Sequence, residues 1–173
     1  MNNIIHSRSG SGAQDIDSLV AQLHNTDGLV RRGARRRLVD IGQAAVPALE
    51  QGLTNPLDHA RWEAAKALCE IHAPQAAPAL VQRLEDDNFS VRWLAAEALI
   101  GLGDYAIVPL LKQLVRRPDS VWLRQGAHHI LRASGGGRID SPLYPVVKAL
   151  EGVEPILETP VAAESALMHM AAT

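Results

Sequence analysis

Cysteine, aromatic residues, long apolar runs and a decided net charge are all scarce in this chain. Cys69 is the one cysteine, so no intramolecular disulfide can form, and a reducing, cytoplasmic location is expected. No stretch approaches the roughly 20 apolar residues of a membrane span, and Met1–Gly12 lacks the apolar run of a secretory signal. A formal charge of −2 over 173 residues gives no whole-chain electrostatic case for nucleic acid or an acidic membrane surface. Aromatics supply 3% of a chain that is 47% hydrophobic. The core must therefore come from Ala, Leu, Val and Ile, which suits close-packed helices better than a β-sandwich.

What the sequence does hold is a repeat. Arg31, Arg61, Arg92 and Arg124 each stand after an apolar residue (Val30, Ala60, Val91, Leu123). Three places on come Ala34, Ala64, Ala95 and Ala127, and seven places on Leu38, Leu68, Leu99 and Leu131. Offsets −1, +3 and +7 share one helical face, and the constant Ala allows a second backbone to come close. A second series follows each first one, carrying Pro47, Pro78, Pro109 and Pro145. Proline fits the first position of a helix, where its missing N–H costs nothing. Polar turns such as Asn25-Thr26-Asp27-Gly28 and Arg117-Pro118-Asp119-Ser120 close the units. Each copy thus reads as a helical hairpin, and Asp15–Leu23 as a second helix without its partner.

Asp87-Asn88-Phe89-Ser90-Val91-Arg92-Trp93-Leu94-Ala95-Ala96-Glu97-Ala98-Leu99 with Gly103-Asp104 resembles the HEAT-like repeat shared with phycobilisome lyases. The resemblance implies an all-α fold, a right-handed α-α superhelix of about four to five hairpins. It also implies a ladder of turn Asp and following Arg, matched here by Asp87 with Arg92 and Asp119 with Arg124. The expected organisation is a flexible tail over residues 1–12, a repeat array over 13–150, and a capping segment over 151–173. In that cap Thr159 and Pro160 would start a helix, with Val161, Ser165, Met168 and Ala172 as its covering stripe. Ser134-Gly135-Gly136-Gly137 reads as a mobile loop inside the fourth hairpin.

Catalysis finds little support. The His-Glu pairs of the HEAT-like di-iron enzyme deoxyhypusine hydroxylase are missing, and adjacent His128 and His129 diverge by about 100° on a helix. Cys69 reads as a small buried hydrophobe. No catalytic residue, metal or cofactor is expected, and the function implied is a non-catalytic protein-interaction scaffold or adaptor. The family alone suggests the alternative, a bilin lyase-like or tetrapyrrole-handling protein acting with a second subunit.

Three sets of residues are candidates for contacting a partner. Trp62 and Trp93 share the position after the repeat Arg, opposite the Ala/Leu face. They form either an exposed strip or packing between hairpins. Arg32, Arg35 and Arg36 belong to a run of five Arg in residues 31–37. That run is a solvated face, a grip on anions, or a dock for the acidic C-terminal segment of a second copy. Gln51, Gln82 and Gln113 each follow a helix-starting Pro by four places, on the series that lines the concave side of such folds. The expected partner is another protein, with self-association open and nucleic acid disfavoured by charge.

Overall fold

The structure, a computed structural model, describes residues 9–172. Among them are helix and turn but no strand, as the helical periodicity of every repeat requires. The α-helices are α1 (Ser9–Gln22), α2 (Gly28–Ile41), α3 (Val46–Gly52), α4 (Asp58–Ile71), α5 (Ala77–Gln82), α6 (Phe89–Leu102), α7 (Asp104–Arg116), α8 (Val121–Ala133), α9 (Tyr144–Glu151) and α10 (Pro155–Ala171). Helix α1 takes in Ser9–Gly12, the end of the expected tail; residues 1–8 of that tail lie outside the described residues. None of the described helices is long and apolar enough to cross a membrane. The chain divides into two compact units, Met1–Ile71 and His72–Thr173.

Turn chemistry sets the helix starts. The Asp27 side chain accepts from the Leu29 N–H at 2.8 Å, Asn88 from Ser90 at 2.8 Å, and Ser120 from Leu123 at 3.3 Å. Each such cap contributes about 1 kcal/mol. The recurrent Arg then fastens each first helix to its own turn. Arg31 donates to the carbonyls of Asn25 and Thr26 at 2.7 and 3.0 Å. Arg61 does the same to Asn55 and Pro56 at 2.9 and 3.1 Å, and Arg92 to Asp86 and Asp87 at 2.7 and 3.1 Å. Arg124 donates to Pro118. The carboxylate of Asp119 faces Arg117 at 3.6 Å, not the Arg124 that the ladder pairs with it. The repeat Arg is spaced to satisfy main-chain carbonyls five and six residues back, and so ties each first helix to the turn before it.

In the first unit α1 packs on α2 and α3, and both of these pack on α4. The solitary second helix is therefore used as one, lying along α3. In the second unit α5 lies along α6 and α7, α6 along α8, and α8 against α9. The constant Ala and Leu series are buried in both units. Pro47, Pro78 and Pro145 stand in the first turn of α3, α5 and α9. Pro109 instead lies inside α7, because Gly103, at φ 58°, ends α6 and Asp104 starts the next helix at once. Cys69, expected to be buried, is half-buried.

The fourth hairpin departs furthest from expectation. Its glycine run is a hydrogen-bonded helix stop: the Gly136 N–H donates to Leu131 O at 2.8 Å and Gly135, at φ 79°, to Arg132 O at 3.2 Å. These are the two bonds of a Schellman motif. The last helix begins at Pro155, so Thr159 and Pro160 fall inside it. It runs along α7 and α9 with Thr159, Ala163 and Ala166 buried. The stripe expected to cover the repeats, Val161, Ser165, Met168 and Ala172, faces solvent. Small residues let α10 approach two helices closely, and that closeness outweighs the larger side chains of the opposite face.

The Glu151 carboxylate ties α9 to α8. It lies 3.0 Å from His128 Nε2, 3.2 Å from Lys148 Nζ and 3.6 Å from Arg132. His128 first, and then Lys148, hold its carboxyl below the ordinary range. A lowered folded-state pKa means that the tie is complete above the unfolded value and is lost as pH falls through the folded one. Amide protection in α9 is therefore expected to drop on acidification to below the ordinary carboxylate range. Hydrogen exchange followed against pH checks this, and Glu151→Gln should remove the dependence.

Candidate interaction surface

Along the second unit, α6 and α8 present a cleft of about 200 Å3 lined by Phe89, Arg92, Trp93, Trp122, Gln125 and His129. Its floor is low because position 126 is glycine. A Cβ there would come within 3.1 Å of Leu84 Cδ2, so a larger residue would lift the floor. Phe89, Trp93 and Trp122 are 67%, 51% and 43% exposed, a concentration of ring surface in a chain with so few aromatics.

The rings are held in place. Arg92, already fixed by two turn carbonyls, sets its guanidinium 4.3 Å from the Trp122 ring centroid and 5.6 Å from that of Phe89. Trp93 stacks on His129 with centroids 5.2 Å apart and planes at 23°. The other side of that imidazole is tethered by Glu97, 3.1 Å from Nε2. Each contact contributes about 1 kcal/mol and restrains rotamers before any partner arrives. Trp122 also borders a wider hollow of about 620 Å3, walled by polar side chains that include Gln82, Arg83, Glu85, Gln113 and Arg117. Glu85 accepts from Gln113 at 3.2 Å and pairs with Arg117 at 3.3 Å. The aromatic-rimmed slot thus lies beside a polar shelf.

The residues expected from sequence are distributed unevenly over this geometry. Gln82 and Gln113 meet at the shelf, while Gln51 is exposed at the end of α3 in the first unit. Trp93 rims the cleft; Trp62 is half-buried on α4, in the other unit. Arg32 and Arg36 are exposed on α2, without an ion pair among the described residues. Arg35 is not available to a partner. Its Nε lies 2.8 Å from Glu63 and its NH1 pairs with Glu70. His128 and His129 reach different carboxylates, Glu151 and Glu97. Comparison at equal repeat positions brings out Trp93 but assigns no contact to Phe89, Trp122 or His129. The signal for Trp122 and His129 is a shifted one: position +1 of one repeat faces −2 and +5 of the next, while Phe89 precedes Trp93 by one turn of α6.

Stacked hairpins with a constant Arg-x-x-Ala-x-x-x-Leu first helix define an α-helical repeat protein. The chain belongs to the HEAT repeat family: the family profile, HEAT repeats, matches residues 16–100 and again 78–159. Among solved structures it is similar to an engineered protein, with 22% identity over 91% of this chain and 79% of that one, at a TM-score of 0.45. It is also similar to a designed armadillo repeat protein, with 19% identity over 93% and 84% of the two chains, again at 0.45. No curated protein matches it.

Proposed function

We propose that the protein is a non-catalytic interaction module whose second unit seats an apolar side chain of a partner protein in the cleft between α6 and α8. The observation that supports this reading is the exposure of Phe89, Trp93 and Trp122 around a single slot. Leaving three large rings in water is unfavourable for the free chain, by about 25 cal/mol for each Å2 of apolar surface. The resemblance of residues 87–104 to phycobilisome-lyase repeats suggests tetrapyrrole handling as a second reading. A slot of about 200 Å3 is below the roughly 300–1,000 Å3 of small-molecule sites, and the larger hollow is polar. Both features favour a side-chain-sized anchor.

Trp122→Ala is expected to weaken partner binding by about 2 kcal/mol or more, roughly 30-fold. It should cost about 1 kcal/mol of stability, as for a half-exposed position. Affinity capture from the native source with wild-type and variant chains, together with thermal melts, measures both. A partner held equally by the two chains would overturn the proposal, and a visible absorption band in the isolated protein would turn it towards the tetrapyrrole reading.

A further inference from the structure

Helix α10 carries an unanswered apolar stripe. With Thr159, Ala163 and Ala166 turned inward, Leu157, Val161 and Met168 project from the far side, all three exposed. At 100° per residue they lie within about 40° of one another. Glu154, Glu158 and Glu164 edge the stripe, all exposed and without an ion pair among the described residues. From Ile139 to the end of the sequence the one Lys or Arg is Lys148, and it is occupied by Glu151. The face is apolar along its centre and acidic along its edges, which disfavours an anionic lipid surface as its cover.

The complementary face is on α2. Leu29, Arg32, Gly33 and Arg36 fall together, opposite buried Ala34 and Leu38. Arg31 and Arg35 turn inward to Glu63, whereas Arg32 and Arg36 carry no such partner among the described residues. Gly33 is the odd member. Glycine inside a helix is destabilising, and here a Cβ would meet nothing within 4 Å. The fold itself therefore has no packing use for the missing side chain. What it does create is a notch, between an apolar residue and two free guanidinium groups, into which another helix can settle. The two helices also match in length: 14 and 17 residues span about 21 and 25 Å.

We propose that α10 of one copy of this chain docks on α2 of a second copy. Leu157 and Val161 lie over Leu29 and the Gly33 notch, and Glu158 and Glu164 face Arg32 and Arg36. Because the two patches differ, the contact is heterologous and joins chains head to tail. Neither helix lines the aromatic cleft.

Sedimentation velocity of the full chain is the test. Wild-type protein should show mass rising with concentration at low salt and falling back as salt screens the charges. Reversing the basic face (Arg32→Glu with Arg36→Glu) or the acidic face (Glu158→Lys with Glu164→Lys) should weaken association by at least about tenfold. An equimolar mixture of the two variants should associate again, because each supplies the charge the other lacks. Gly33→Leu, which fills the notch while raising helix propensity, should block association without loss of helix, and it gives an independent reading if a charge variant misfolds. Trp122→Ala should leave self-association unchanged. A wild-type chain that stays monomeric at low salt, variants that associate like wild type, or a mixture that does not recover would each overturn the proposal.

Discussion

Glu63→Ala is expected to destabilise the first unit by about 3 kcal/mol, the cost of stripping one partner from a buried ion cluster. Only 7% of the Glu63 side chain is exposed, and its two oxygens answer Arg31 at 3.6 Å and Arg35 at 2.8 Å. Arg35 is itself 12% exposed. Without Glu63 two guanidinium groups remain close together, and Glu70, shared between Arg35 and Lys66, sits nearer the surface. Glu63→Gln keeps an acceptor for Arg35 but loses the charge, so a smaller cost of about 1–2 kcal/mol is expected. The pair Glu63→Met with Arg35→Met should restore most of the stability, since well-packed apolar replacements of a buried pair are often neutral. Hydrogen exchange in α2 and α4 reports on this unit directly. A loss of under about 1 kcal/mol for Glu63→Ala would show that water, not Glu63, solvates the cluster.

That cluster depends on a contact between helices that local periodicity does not encode. The run at residues 31–37 is conspicuous as charge, and its partition between inward Arg31 and Arg35 and outward Arg32 and Arg36 follows from helical phase. What selects the inward pair is Glu63, at a position where the other repeats carry Gly33, Leu94 and Gly126. A comparison of repeats for their constant residues passes over it, because its information is in the departure. The hairpins themselves were legible because Ala and Leu at fixed offsets dictate which face is buried, whatever surrounds them. The cleft between α6 and α8 was legible by half. Trp93 stood out by recurrence and Phe89 lies one turn before it on α6, but Trp122 and His129 reach it only through the packing of α6 on α8.

Helix α10 shows the opposite failure. Read alone, Val161 and Met168 outrank Ala163 and Ala166 as core residues, since burial of a large side chain is worth more than burial of a methyl group. The packed unit favours the small face because α10 must lie against α7 and α9 together. Side-chain size then limits how near the backbones can come. Periodicity identified two faces correctly and had no means to choose between them.

Glycine substitutions in the fourth hairpin should fall in an order that backbone dihedrals alone do not give. Gly135 holds the left-handed conformation at φ 79°, yet a Cβ there meets open space, so Gly135→Ala should cost about 1 kcal/mol, that of the dihedral itself. Gly136 shows no positive φ, but a Cβ would lie 2.7 Å from Leu131 O, 3.1 Å from Leu143 Cβ and 3.2 Å from Val147 Cγ2. Leu131 O is the acceptor for the Gly136 N–H at 2.8 Å, so relieving the clash breaks the stop and pushes α9 away from α8. A cost of about 2–3 kcal/mol is expected for Gly136→Ala, comparable with strain at other over-determined backbone sites. At Gly137 a Cβ meets the end of the flexible Arg132 side chain at 2.8 Å, which can swing aside, so Gly137→Ala should be nearly silent. Chemical unfolding of the three single variants measures the order 136, then 135, then 137. A larger loss at Gly135 than at Gly136 would mean that the dihedral, and not the close approach of the backbone, holds this turn.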